Sequence, residues 1–493
     1  MTNRPNSIVI LGGGTAGWMT AILLKHYWPE VDLTLVESED IGIIGVGEGS
    51  TPSLKYFFEL LGISDDEWMP ACNATYKVGI EFPGWSNVPG HSSYFHPFFS
   101  ALDSQTSSAY IKQVNRWRQG ESVNVLPDNY FVASALSRAH KSVQPVNPLP
   151  VELDYGYHFD SALLGNFLRD KCISQGVRHV IDEVETVVHD NGVVHELATV
   201  GGQSFNAEFF IDCTGFAGVL VNKSLSRKFL SYNKSLLNDS AVAIQTSKAS
   251  NSVLESKTVS SAMSCGWRWH IPLRNRDGNG YVYSSKYISP KEAERELRQS
   301  LGDRAEGREA RHIKMRVGRL QKHWDENCLA VGLSQGFIEP LEATALMVIQ
   351  YTVQSYINCV NKKGTVEQFN SKINKQFDGI KDYIVCHYKT NSISGDYWHY
   401  CRENIEVSET LETILKLWKL NGRFDDFIHS NAGELSYSRA SWYSILSGMG
   451  VREKSIESAI EMDELAMKAL KYCEETAELF IDHKTACNSI VTC

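Results

Sequence analysis

The residues best suited to chemistry in this sequence are two indoles, a misplaced lysine and a misplaced glutamate. Trp267 and Trp269 stand two residues apart in Trp267-Arg268-Trp269-His270-Ile271-Pro272, so on an extended strand both rings project to one side. Such a pair can wall off a space, keeping a bulky organic molecule out while dioxygen and small ions pass. Lys77 lies in Ala74-Thr75-Tyr76-Lys77-Val78-Gly79-Ile80-Glu81-Phe82, a strand-like apolar run. An ammonium is out of place there, because buried lysines are rare unless paired or employed. Glu342 lies in Phe337-Ile338-Glu339-Pro340-Leu341-Glu342-Ala343-Thr344-Ala345, which reads as the opening of an apolar helix. Taken singly, each also has a plain structural reading: a lysine stem snorkelling to water, and a carboxylate satisfying the amides of a helix N-terminus.

Elements must hold these groups, and the N-terminus supplies the first of them. Ser7-Ile8-Val9-Ile10-Leu11 has the pattern of a buried strand and runs into Gly12-Gly13-Gly14-Thr15-Ala16-Gly17, with a helix predicted from Thr15 to about Tyr27. Gly12 permits the tight turn, Gly14 lets the backbone approach a pyrophosphate, and Gly17 lets the helix pack on the strand. Thr15 and Ala16 open the helix N-terminus that faces the phosphates. A second strand, Leu33 to Glu37, ends in a carboxylate about 20 residues past the last glycine, where a ribose hydroxyl is expected.

Two later segments separate FAD from NAD. Phe209-Phe210-Ile211-Asp212-Cys213-Thr214-Gly215 is a hydrophobic strand ending in Asp212 and Gly215, and it follows a strand-rich stretch from Val180 to Phe205. Leu329-Ala330-Val331-Gly332-Leu333-Ser334 then gives another strand and turn before Gly336 and Pro340. Repeated returns to one nucleotide site look like the aromatic-hydroxylase type of FAD fold, which a simple NAD dehydrogenase would not need. The expected class is therefore α/β, a two-dinucleotide-fold FAD-binding domain with an appended, mostly helical substructure.

The sheet domain is expected to be discontinuous, over residues 1–90 and 155–350. Gly45 to Pro52 forms a glycine-rich loop able to move, ahead of a helix from Ser53 to Leu61. Residues 91–154 read as a loop-rich segment lining a substrate site, aromatic around Tyr94-Phe95-His96-Pro97-Phe98-Phe99 and proline-rich at Pro145, Pro148 and Pro150. Residues 351–493 read as helical. Leu411, Ile414, Leu415 and Trp418 repeat at helical spacing before a stop at Asn421-Gly422, and Ala466, Ala469, Leu470, Cys473 and Ala477 form a second stripe, both read as core.

Bulk properties exclude some partners. The 493 residues carry a net charge of −10, and no basic run appears, which argues against nucleic acid and anionic membrane. The 11 cysteines are scattered without a C-x-x-C pair, as expected of reduced thiols in a cytoplasmic enzyme, and Cys213 and Cys265 read as core. No metal-ligand spacing, signal peptide or membrane-length apolar run is evident.

The combination resembles the flavin-dependent halogenases, the family that includes the tryptophan halogenases. The resemblance spans nearly the whole chain: Gly12 to Gly17 with Trp18, the Gly45 to Pro52 loop, Lys77 with Gly79-Ile80 and Trp85, His96-Pro97-Phe98, Tyr157-His158-Phe159-Asp160, Asp212 to Gly215, Trp-x-Trp-x-Ile-Pro and Pro340-Leu341-Glu342. It implies a two-component reaction in which a separate flavin reductase supplies reduced FAD. With dioxygen this gives a flavin hydroperoxide, and a halide (bromide, iodide or chloride) attacks it to form hypohalous acid. Lys77 would receive that oxidant by hydrogen bonding or as a haloamine, and Glu342 would position it and help stabilise or deprotonate the cationic arene.

The resemblance also implies halide binding at the backbone of Thr344 and Ala345, a substrate wall of His96, Pro97, Phe98 and Trp442, a flavin strap around Ser50, and flavin shielding by Trp267 and Trp269. FAD would be held by Gly12, Gly14, Thr15, Ala16, Gly17, Glu37, Ser50, Asp212, Gly215 and Leu333. The sequence departs from the tryptophan-specific pattern where Ala343 replaces a serine beside the glutamate, and the residues that clamp an amino-acid backbone are incomplete. The expected substrate is an electron-rich arene such as indole or a tryptophan-like compound. An aromatic monooxygenase, a halogenase of carrier-bound substrates, a non-catalytic FAD-binding protein and a homo-oligomeric state stay open at this point.

Overall fold

The computed structural model describes residues 4–39, 47–248, 252–452 and 461–490. The apolar run Ser7–Leu11 becomes the central strand of a six-stranded sheet, with Asp32–Glu37 parallel on one side and Phe209–Asp212 parallel on the other. Arg178–Ile181 extends the first side, and Cys328–Ala330 and Trp324–Asp325 extend the second. Strand order therefore reverses at Ser7–Leu11, and the carboxyl ends of its parallel neighbours open a crevice there. The helices Thr15–Tyr27 and Ser53–Leu61 form as expected.

A second, seven-stranded sheet runs in the order Ala310–Lys314, Ser240–Ser247, Arg276–Tyr283, Gly266–Pro272, Lys257–Met263, Gly79–Pro83, Ser93–Pro97. Direct cross-strand partners share a face. The register pairs Gly280 with Trp269, Trp269 with Ser260, Thr258 with Ile80, Ile80 with His96, and Phe82 with Tyr94. One face thus carries both indoles at one end and Tyr94 and His96 at the other. The helix Val366–Thr390 lies over this face, with the His387 ring 4.9 Å from that of Phe82.

The segment from 91 to 154 is more regular than its composition suggests. It contains the strand Ser93–Pro97, the helices Ser104–Arg118 and Val132–Arg138, and the strand Lys141–Pro145, which pairs with Phe480–Asp482. The loop-rich expectation fails because Ser104–Arg118 buries one narrow stripe, Thr106, Tyr110, Gln113, Val114 and Trp117, within a polar sequence. That stripe has helical spacing. The residues around Pro148 and Pro150, and those from 119 to 126, lack a regular element.

From Ala345 onward the described chain is helical apart from Phe480–Asp482. Leu411, Ile414, Leu415 and Trp418 are buried along Glu409–Lys419, and Ala466, Ala469, Cys473 and Ala477 along Glu464–Ala477, with Leu470 half-buried. These helices share one continuous apolar core with the first sheet. The ten described cysteines carry free thiols, Cys213 buried and Cys265 half-buried. Among the described residues no helix is long and apolar enough to cross a membrane.

Candidate active site

The glycine turns close on backbone atoms at the crevice. Gly12 has φ +107°, and a side chain there would run into the Cys213 carbonyl. A side chain on Gly17 would strike the Gly12 carbonyl, which is why the helix can pack so close to its strand. Beside Gly14, by contrast, 4 Å of space is open, at the N-cap of a 13-residue helix. The first amides of that helix, from Thr15 and Ala16, have no partners within it, while the Thr15 hydroxyl donates to the Ser161 carbonyl. Gly215, at φ +65°, likewise faces open space. The turn Gly332–Ser334, which carries Leu333, packs against the turn Gly215–Ala217 and presses Gly332 on Ala16. An open, glycine-lined helix N-terminus fits a pyrophosphate.

One of the expected nucleotide contacts is otherwise engaged, and a second gives one of its oxygens to a neighbour. Asp212 is fully buried, and its oxygens accept from the Thr214 amide and hydroxyl and from the Leu220 and Val221 amides. Four donors fill a carboxylate, so Asp212 shapes the Gly215 turn and has no lone pair left for a ribityl hydroxyl. Sequence position could not reveal this, because the donors lie in the loop that follows. Glu37 does end its strand over Gly13, and its Oε1 pairs with His179 Nε2 at 2.6 Å.

Ser50 is buried beside the strand Gly156–Phe159. Its hydroxyl accepts from the Tyr157 amide at 2.9 Å, and its own amide donates to the Tyr157 carbonyl at 2.8 Å. Gly45 and Val46 of the glycine-rich loop lie outside the described residues.

Lys77 ends the strand Thr75–Lys77 with no exposed surface. Its stem does not snorkel. Among the described residues Nζ has no hydrogen-bond partner, and it stands 5.4 Å over the Phe98 ring. A side chain at Gly49 would come within 3.1 Å of this amine, so glycine there keeps it accessible. Burial pulls the Lys77 amine down to about 7, opposed by the charge of Glu342. Nearby His158 bonds Thr258 at 2.9 Å and is held well below its usual range by burial and then by Lys77.

Glu342 departs from the helix-terminus reading. It occupies a turn ahead of Ala345–Asn361, followed by Ala343 at φ +56°, and it is 3% exposed. Its carboxylate does not cap the helix: Oε2 pairs with His96 Nδ1 at 2.9 Å and Oε1 with His387 Nε2 at 3.3 Å. Burial would raise this carboxyl, but the two histidines overcome it and hold it at about 2. His387 is itself fixed by the Tyr94 hydroxyl at 3.0 Å and the Tyr383 carbonyl at 3.2 Å. The helix that follows opens at Thr344 and Ala345, the N-cap and first residue of a 17-residue helix.

The expected substrate wall is partly rearranged. Phe98 stays beside Lys77, and Pro97 pairs with Gly79 at the strand end. His96 is turned to Glu342, so it orients the carboxylate. Trp442 is fully buried, edge-on to Tyr383 at 5.0 Å, and its Nε1 has no partner among the described residues. Tyr383 also meets the His96 ring at 5.9 Å and stacks on Tyr437 at 3.6 Å, so one tyrosine joins both ends of the wall.

The indoles lie on one side of their strand as expected, 6.2 Å apart at 58°. Trp267 donates to Glu339 at 2.8 Å, and Trp269 lies across Gly280, where any side chain would overlap its ring. Sequence reasoning passed over Glu339, Tyr94 and His387. The signal was present for His387: it sits in Tyr383-Ile384-Val385-Cys386-His387-Tyr388, an apolar helical run of the kind that singled out Lys77.

An open nucleotide crevice, a buried amine and an ionised glutamate define a FAD-dependent halogenase, and comparison with known proteins agrees. A model of the tryptophan halogenase family matches residues 7–464, and the chain belongs to that family. It is 37% identical to tryptophan 6-halogenase SttH of Streptomyces toxytricini over 450 residues, 85% of each chain. It is 32% identical to tryptophan 7-halogenase RebH of Lentzea aerocolonigenes over 488 residues, 92% of this chain and 91% of that one. The structure of BrvH, a flavin-dependent halogenase from Brevundimonas sp. BAL3, superposes with a TM-score of 0.83 at 29% identity, covering 99% of each chain.

Proposed function

We propose that the enzyme halogenates a small, electron-rich aromatic of the indole type, with Lys77 as the relay and Glu342 as the base. When bound in its reduced form, delivered by a separate flavin reductase, FAD supplies the activation of dioxygen that converts halide to hypohalous acid. Gly12, Gly14, Gly17, Thr15, Ala16, Glu37, Gly215 and Leu333 would hold the cofactor, and the Thr344 and Ala345 amides the halide, at a helix N-terminus suited to anions. Trp267 and Trp269 would bar the arene from the cofactor while letting the small oxidant through.

The observation that carries this reading is the buried, unpartnered Lys77 amine beside Phe98, together with a Glu342 carboxylate kept ionised. As an ammonium, Lys77 donates to the oxygen of the oxidant and makes the halogen more electrophilic. As a free amine, it takes the halogen from the hypohalous acid, the oxygen–halogen bond breaking and water leaving. A value near 7 populates both forms at neutral pH. The Glu342 carboxylate then accepts the proton of the cationic arene.

Tryptophan is the substrate named for two of the relatives above, SttH and RebH. Here the groups meeting at Tyr383 are aromatic, His96, Tyr437 and Trp442, and they favour a flat, neutral ring over an amino-acid zwitterion. Bromide and iodide, more easily oxidised than chloride, are the expected halides. Mass spectrometry of an arene panel including indole and tryptophan, with reductase, FAD, NADH and mixed halides, tests this. Brominated or iodinated indole as the main product is the expected result; strict chlorination of free tryptophan would reject it.

A further inference from the structure

Glu339 stands three residues before Glu342 and has no exposed surface. Its Oε2 accepts from Trp267 Nε1 at 2.8 Å, Asn238 Nδ2 at 2.9 Å and the Tyr388 hydroxyl at 2.5 Å. The Tyr397 hydroxyl donates to Asn238 Oδ1 at 2.8 Å, which fixes the direction of the amide. Burial pushes the Glu339 carboxyl up and these neutral donors pull it back, with no cation contributing. A buried acid supported only by neutral donors is costly, and an apolar residue of the same size would pack without that cost. Its placement must serve something else.

The donors show what that is. Trp267 is half of the indole pair. Tyr388 directly follows His387, so consecutive residues of one helix engage Glu339 and Glu342. We propose that Glu339 is a positioning residue: its carboxylate pins the Trp267 indole and, through Tyr388, registers the helix Val366–Thr390 against the Glu342 turn. The inference rests on the reading of Trp267 and Trp269 as a partition. It assigns the partition's rigidity to a residue outside the reaction itself.

The test combines a readout on the resting protein with one on turnover. Labelling the 11 tryptophans with nitrogen-15 gives indole proton resonances, and Trp267→Phe identifies the one that matters. Glu339→Gln offers a weaker, uncharged acceptor, so the Trp267 resonance should move upfield and lose exchange protection several-fold while the others stay. Tyr388→Phe is milder and has the opposite sign: one competitor leaves Oε2, and the Trp267 resonance should move downfield. In turnover, Glu339→Gln should lower halogenated product per reduced flavin oxidised several-fold, with hydrogen peroxide rising to match, and it should cost less in the Trp267→Phe background than in the parent. An unmoved resonance in both single variants would overturn the contact. A moved resonance with unchanged product per flavin would overturn the partition while leaving the contact standing.

Discussion

In the nucleotide cradle the structure closes on backbone: Gly12 against the Cys213 carbonyl and Gly17 against the Gly12 carbonyl. In the reaction chamber it closes on side chains drawn from distant elements: Lys77, Phe98, Glu342, His96 and His387. At Gly12 and Gly17 the first region tolerates no added atom, because carbonyls cannot swing aside. The second depends on which partner each charged group has found. Substitutions should therefore separate the two regions, costing cofactor binding and fold in one, and chemistry alone in the other.

The largest separation is expected at Glu342. Removing a proton acceptor typically costs about 10²–10⁴-fold in rate, so Glu342→Gln should lower halogenated product on that scale while FAD affinity, measured by fluorescence titration, stays within error of the parent. A comparable loss of FAD affinity would erase the distinction. Gly12→Ala is the mirror experiment. Its positive φ and the Cys213 carbonyl make any side chain strained, a cost of about 1–3 kcal/mol for the backbone alone. Thermal stability and FAD affinity should fall together, with product per bound flavin preserved.

A smaller effect should appear at Gly280, which makes room for the Trp269 ring. Gly280→Ala displaces that ring without touching Lys77 or the cradle, so several-fold lower coupling of flavin oxidation to product is expected at unchanged FAD affinity.

A further effect is a pH slope. The Lys77 amine sits at about 7 in the folded chain against 10.5 ordinarily. Across that window the unfolded chain binds the extra proton, and stability rises with pH by up to about 1.4 kcal/mol per unit. Urea denaturation of Lys77→Met should lack this rise between about pH 7 and 10.

The same contrast explains what the sequence made legible. Gly12, Gly14 and Gly17 announce their roles because the constraint on each is local, one turn and one helix start, and the later strand-and-turn segments at Asp212 and Val331 are visible as apolar runs, though not their order in the sheet. Lys77 and Glu342 could be singled out as polar residues in apolar runs. Their partners could not: His96 and His387 lie 246 and 45 residues from Glu342, and it takes both the cross-strand register that puts His96 opposite Ile80 and the packing of the helix Val366–Thr390 on that face to bring them together. Asp212 misled for the same reason in reverse, since a strand-ending carboxylate at a nucleotide site looks free until its own loop folds back over it.

Lys77→Ala probes the separation of the two regions most directly. With reductase, FAD, NADH, bromide and indole, the variant should bind FAD as the parent does and consume reduced flavin at an undiminished rate, yet release no bromoindole. Bromoindole formed at the parental yield would remove the lysine from the chemistry and contradict the two-chamber account.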